Sequence, residues 1–182
     1  QTPEGIEKLR VARSQLAQFN PRFFSVTYGA GGSTRDRTIE TVLEIQAEGR
    51  TVAPHLSCIG STRENIYALL KKYQDNGIHH LVALRGDLPS GMAQAGEFRY
   101  ANELVTFIRQ EFGNLFRIEI AAYPEYHPQA RSAQDDFKNF IKKIEAGADS
   151  AITQYFYNAE AYFHFIDMCE TANLSIPVVP GI

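Results

Sequence analysis

The stretch His79-His80-Leu81-Val82-Ala83-Leu84-Arg85-Gly86-Asp87 decides how this chain reads. Four consecutive apolar residues fit a strand covered on both faces, as in a parallel sheet. The run then breaks at a glycine between an arginine and an aspartate, which puts charge where the strand ends. Five other runs have a similar shape: Arg22–Gly29, Thr51–Cys58, Phe116–Tyr123, Ser150–Tyr157 and Pro177–Ile182. The six start at residues 22, 51, 79, 116, 150 and 177, which are 27 to 37 residues apart. That is the length of one strand with its crossover helix.

The intervening segments carry helix punctuation. Ser61-Thr62-Arg63-Glu64 fits a capping box, and Ser132 with Asp135 resembles one. Asn158 is placed to cap a helix running through Ala172. Gly49, Gly77, Gly113 and Gly147 each follow a helical stretch, where a left-handed cap needs no Cβ. Pro3–Phe19 reads as one more helix ahead of the first strand. Strands alternating with helices imply a parallel sheet, either a barrel or an open doubly wound sheet. The preferred fold is a (β/α)8 TIM-type barrel, incomplete in this chain, with the first and last strands missing. The alternative is a complete six-stranded doubly wound sheet. No linker divides the chain, so residues 1–182 read as a single catalytic-barrel fragment. Gln1 in place of Met points to a start inside a longer protein.

Composition narrows the function. A net charge of −3 argues against a nucleic-acid partner, which would call for a basic excess. No apolar run approaches the roughly 20 residues of a membrane span, so no membrane partner is expected. The two cysteines, Cys58 and Cys169, lie in different units, and a reducing cytoplasm is the default. No histidine shares a recognised ligand spacing with Cys or carboxylates, so no metal is predicted.

Ligands of parallel β/α folds bind beyond the C-terminal ends of the strands. There the sequence places Thr27, His55, Arg85-Gly86-Asp87, Tyr123 with His127, and Gln154. The glycine-rich Gly29–Thr34 segment leads into a helix and could favour an anion or form a tight turn. Arg85 and Asp87 read either as a surface ion pair or as a site around a close-approach glycine. His55 reads either as a satisfied core histidine or as a ligand contact. Cys58 reads as a buried, inert thiol, and His79 and His80 as structural residues at a strand start. Gln154 is an amide inside an apolar strand, suited to a heterocycle edge unless the backbone satisfies it. Lys142 and Lys143 sit late on a helix, as dipole partners or a solvated face.

Taken together, the segments Ser25–Thr38, Ala53–Thr62, Gly77–Pro89, Ala121–Asp136, Lys142–Tyr157 and Ile176–Ile182 resemble the catalytic domain of 5,10-methylenetetrahydrofolate reductases. LRGD, followed by AAYPE-x-HP and then ITQ-Tyr-Phe, is the specific combination. The resemblance implies a noncovalent FAD on a barrel, with NADH or NADPH as reductant and methylenetetrahydrofolate as acceptor. It implies an FAD site of Thr27, His55, Arg85, Gly86, Asp87, Tyr100, Ala101, Tyr123, His127, Ala130, Asp136, Asn139, Lys142 and Lys143. Thr27 would also meet the nicotinamide. Asp87 and Gln154 would be the catalytic residues, both also facing the folate. A cytoplasmic homo-oligomer in one-carbon and methionine metabolism is implied as well. The general-acid Glu of the family sits in an F-E-F-F-P type strand that does not occur in this sequence, and Glu4 does not match it. The fragment alone is therefore expected to be inactive, and the intact protein active. The alternatives are a non-catalytic flavin- or folate-binding module, and another barrel enzyme that holds a phosphorylated substrate on the glycine-rich segment.

Overall fold

A computed structural model describes residues 2–28, 32–87 and 96–182, without the side chains of Pro3 and residues 32–36. The glycine-rich stretch at residues 29–31, and Leu88 and Pro89 after Asp87, lie outside the described residues. The order is α1 (Pro3–Ala17), β1 (Phe24–Val26), α2 (Gly32–Ala47), β2 (Val52–Ser57), α3 (Arg63–Asp75) and β3 (His80–Leu84). It continues with α4 (Ala101–Phe112), β4 (Arg117–Ala122), α5 (Ala133–Glu145), β5 (Ser150–Thr153), α6 (Ala159–Thr171) and β6 (Val178–Val179).

All strand pairs are parallel, and the spatial order is β1-β2-β3-β4-β5-β6. A doubly wound sheet reverses its strand order at a switch point. This sheet never does, which removes that alternative and leaves a curled, partial TIM-type barrel.

The register separates the two faces. Leu56 pairs with Ala83, Leu81 with Ile118, Ala83 with Ile120, and Ile120 with Ala151. These residues are fully buried among Ile66, Leu70, Leu104, Ile108 and Phe140 of the helices. Side chains alternate along a strand, so the other set faces the barrel interior: Ser25, Ala53, His55, Ser57, Val82, Leu84, Arg117, Glu119, Ala121, Ser150 and Ile152. That interior is polar at its floor. Nε2 of His80 lies 2.8 Å from Oε1 of Glu119, and Arg117 reaches both Glu119 (3.3 Å) and Ser150 (2.9 Å). Phe23 packs on the His80 ring at 4.3 Å between centroids. His80 is thus a structural residue at its strand start, as the sequence indicates.

The helix punctuation holds with one shift. Ser132 and Asn158 cap α5 and α6 by accepting from Asp135 and Glu160 amides. The cap of α3 is Thr62, accepting from the Asn65 amide, rather than Ser61. Ser61 is buried, with its carbonyl engaged by the Glu97 amide, and the Glu97 carboxylate takes the Arg63 amide at 2.6 Å. Helix α1 is fixed to α2 by Arg10 and Arg13, which both bind Glu44, while Arg13 also binds Glu48. The two guanidiniums hold the Glu44 carboxyl down at about 2.

Every strand is shorter than predicted, most of all β1, β5 and β6. β5 stops at Thr153, so Gln154–Tyr157 is loop. The Glu125 carboxylate draws that segment outward, accepting from the Tyr157 and Asn158 amides at 3.3 and 3.1 Å. β6 is only Val178–Val179, flanked by Pro177 and Pro180, which cannot donate to a ladder.

Candidate functional site

The C-terminal rim is assembled around the end of β3. The Arg85 carbonyl accepts from Ser57 Oγ and from the Ile59 amide, both at 2.9 Å, which pins the turn to the end of β2. Gly86 then takes φ +81°, a left-handed conformation that suits glycine. Contact leaves no choice either, because a Cβ there would stand 1.8 Å from Ser57 Oγ. Asp87 follows, exposed at the edge of the described chain.

The Arg85–Asp87 ion pair is not what forms. Among the described residues, the Arg85 guanidinium donates to Gln129 Oε1 at 2.5 Å and to the Gly86 carbonyl at 3.1 Å. Asp87 is left clear of it, a fixed negative charge facing solvent.

The β4–α5 loop supplies the second wall. The rings of Tyr123 and His127 meet edge to face at 4.7 Å. The Asp136 carboxylate accepts the His127 amide at 3.0 Å, and His127 Nδ1 accepts the Gln129 amide at 3.0 Å. Burial raises the Tyr123 phenol above its ordinary value. The nearby charges of Asp136 and Asp87 push the same way, with Arg85 opposing. Tyr123, Asp136, Asp87 and Arg85 therefore share one electrostatic neighbourhood.

His55 faces the interior of β2, with Nε2 3.2 Å from Ser25 Oγ. Burial lowers its affinity for a proton, so the neutral ring is favoured. Thr27 directly follows β1, with its carbonyl accepting from Thr38 Oγ1 at 3.3 Å. It also lines a cavity of about 510 Å³ between α1, β1 and α2. That cavity is walled by Leu9, Leu16, Phe24 and Ile45, and contains none of the other rim residues.

Gln154 is exposed just past β5, not inside a strand. Its amide donates to the Ala122 carbonyl at 2.7 Å, and its own Oε1 accepts the Tyr155 amide at 3.1 Å. The side-chain NH₂ group projects from a fixed backbone. Tyr100 and Ala101 open α4, with Tyr100 more than half exposed. Ala130 lies in the loop before α5, and Asn139 and Lys142 are exposed on that helix. Lys143 turns inward instead. Its Nζ donates to the Ala121 carbonyl at 2.5 Å, and burial lowers its pKa to about 8. Cys58 is buried and its thiol is pushed up to about 12, which makes it inert.

Three contributors escaped the sequence reading. Ser57, Gln129 and Glu125 shape the rim, yet none carries chemistry that marks it in a linear pattern. Glu125 and Gln129 lie inside the distinctive Ala121–Asp136 segment and Ser57 inside Ala53–Thr62, which was the available signal.

Six parallel strands in chain order, with polar groups gathered past their C-terminal ends, define a β/α-barrel chain whose ligand-binding edge is that rim. The family model described as methylenetetrahydrofolate reductase matches residues 1–182, and the chain belongs to that family. It is 44% identical over 169 residues to a 5,10-methylenetetrahydrofolate reductase of Escherichia coli (strain K12), covering 92% of this chain and 56% of that one. It is 36% identical over 195 residues to methylenetetrahydrofolate reductase (NADH) 1 of Arabidopsis thaliana, covering 100% of this chain and 33% of that one. The chain thus spans little more than half the length of its bacterial relative. Among solved structures, an uncharacterized protein from Clostridium thermocellum described as binding two copies of 5-methyl-5,6,7,8-tetrahydrofolic acid superposes with a TM-score of 0.49 at 14% identity. It covers 87% of this chain and 64% of that chain. Among the described residues, no group of His, Cys, Asp and Glu could hold a metal ion. No helix there is long and apolar enough to cross a membrane.

Proposed function

We propose that the complete protein reduces 5,10-methylenetetrahydrofolate to 5-methyltetrahydrofolate, using a noncovalent FAD and NADH or NADPH, within one-carbon and methionine metabolism. The observation that carries this reading is one rim holding Arg85-Gly86-Asp87, the Tyr123–His127–Asp136 cluster and Gln154, in a chain of this family.

The donor set fits FAD. A guanidinium, a half-buried phenol and a histidine stand at one edge for the polar atoms of the flavin. The exposed Tyr100 ring and the first amides of α4 suit a nucleotide phosphate. FAD, when bound, supplies a hydride acceptor for the nicotinamide and a hydride donor for the folate. The chain's own residues do the rest. Thr27, His55, Arg85, Gly86, Asp87, Tyr123 and His127 would hold the flavin, and Tyr100, Ala101, Ala130, Asn139 and Lys142 the remainder of the cofactor. Asp136 and Lys143 would act from behind, since one fixes the His127 amide and the other the Ala121 carbonyl. Asp87 would place a negative charge beside the folate, favouring its cationic iminium form as it accepts hydride. Gln154 would donate to the pterin through its NH₂ group, and Thr27 would also meet the nicotinamide. The general acid would come from sequence other than these 182 residues. We place the protein in the cytoplasm as a homo-oligomer.

Product analysis tests this. Complete protein supplied with FAD, NADH or NADPH, and methylenetetrahydrofolate should form 5-methyltetrahydrofolate. Its absence with both nucleotides would overturn the reading.

A further inference from the structure

We propose that Gln129 is a positioning residue that holds Arg85 ready for the ligand; this rests on the flavin reading of the rim and deepens it. Arg85 is the one cation at the end of β3, and its backbone is already fixed by Ser57 and Ile59. Its side chain is long, and an unheld arginine loses rotamer entropy when a ligand fixes it. Gln129 removes much of that cost in advance. Its Oε1 accepts Arg85 Nη2 at 2.5 Å while Arg85 Nε binds the Gly86 carbonyl. Two anchors to different elements define the plane of the guanidinium and leave its remaining N–H groups for a ligand.

Gln129 can do this because it is itself held. Its amide donates to His127 Nδ1, and the His127 amide donates to Asp136 on α5. The line Asp136–His127–Gln129–Arg85 thus ties the first turn of α5 to the end of β3. The same line fixes the His127 tautomer. Nδ1 accepts a hydrogen bond from the Gln129 backbone amide, which selects the tautomer with its N–H on Nε2. Elsewhere in the β4–α5 loop, Ala130 N donates to the His127 carbonyl at 2.9 Å, and Glu125 reaches the other way, to the Tyr157 and Asn158 amides.

Gln129→Ala and Gln129→Glu in the complete protein test the inference. Glu retains the oxygen acceptor for Arg85, and Ala does not. Two readouts are needed: the FAD dissociation constant, and the rate at which phenylglyoxal modifies Arg85 in ligand-free protein, read by peptide mass spectrometry. Gln129→Ala should raise the FAD dissociation constant about tenfold, as expected for lost preorganisation, and speed Arg85 modification severalfold. Gln129→Glu should restore both. Unchanged values in Gln129→Ala would overturn the proposal. Equal losses in Ala and Glu would overturn it too, since they would mark general loop damage. Failure of the unaltered protein to bind FAD would sink the flavin reading alone. Arg85 modification would still decide whether Gln129 holds the guanidinium.

Discussion

A Cβ placed on Gly86 would lie 1.8 Å from Oγ of Ser57. The end of β3 is therefore closed against any side chain, and the Arg85 and Asp87 groups are spread to either side of bare backbone. Gly86→Ala should destabilise the protein by about 2 to 4 kcal/mol, combining positive-φ strain with the clash. The second change Ser57→Gly should restore only part of it, because the φ of +81° remains. Urea unfolding of the single and double variants measures both. Full restoration by the double variant would show that the backbone conformation costs nothing.

The barrel floor gives a pH dependence. Burial pushes the Glu119 carboxyl up, but hydrogen bonds from His80, Ser150 and Arg117 outweigh it and bring the pKa below the ordinary value. A carboxyl depressed on folding stabilises the fold fully above its unfolded pKa, near 4.5. That contribution is lost as pH falls through the lower folded value. Glu119→Gln should therefore flatten the acid limb of stability below about pH 5. An unchanged acid limb would remove Glu119 from the account.

Lys143 titrates in the same sense, in a more alkaline window. Its folded pKa of about 8 lies below its ordinary 10.5 because of burial. Between those values the unfolded chain binds more protons, so stability should rise with pH from 8 to 10.5. Lys143→Met should lack that rise. The same slope in both proteins would show that the ammonium is not buried as described.

Much of this was legible in the sequence, for identifiable reasons. The six strands were found because parallel strands buried on both faces leave unbroken apolar runs, as at Leu81–Leu84. Strand order was not legible. Only the pairings, such as His55 beside Val82 and Glu119 beside Ser150, separate a barrel from a doubly wound sheet. The end of β5 was misread because Tyr155 and Tyr157 look like strand residues. The Glu125 carboxylate that draws them into a loop is 32 positions from Tyr157. The side-chain partner of Arg85 was hidden for the same reason, since Gln129 is 44 positions away.

Gln154→Ala should leave the fold intact, because the residue is exposed and its anchoring to Ala122 is through the backbone. Folate binding by the complete protein should weaken about 5- to 30-fold, the worth of one or two lost hydrogen bonds. Titration with methylenetetrahydrofolate checks this, and unchanged affinity would remove Gln154 from the folate site.

The most direct test of the central claim follows the visible flavin band of the complete protein under anaerobic conditions, in unaltered and Asp87→Asn forms. NADH or NADPH should bleach the band, and methylenetetrahydrofolate should restore it. In Asp87→Asn, restoration by the folate should slow about 100-fold or more, the scale of losing one preorganised charge contact, while bleaching changes much less. A protein with no flavin band, or an Asp87→Asn form that slows both steps equally, would contradict the assignment of this rim.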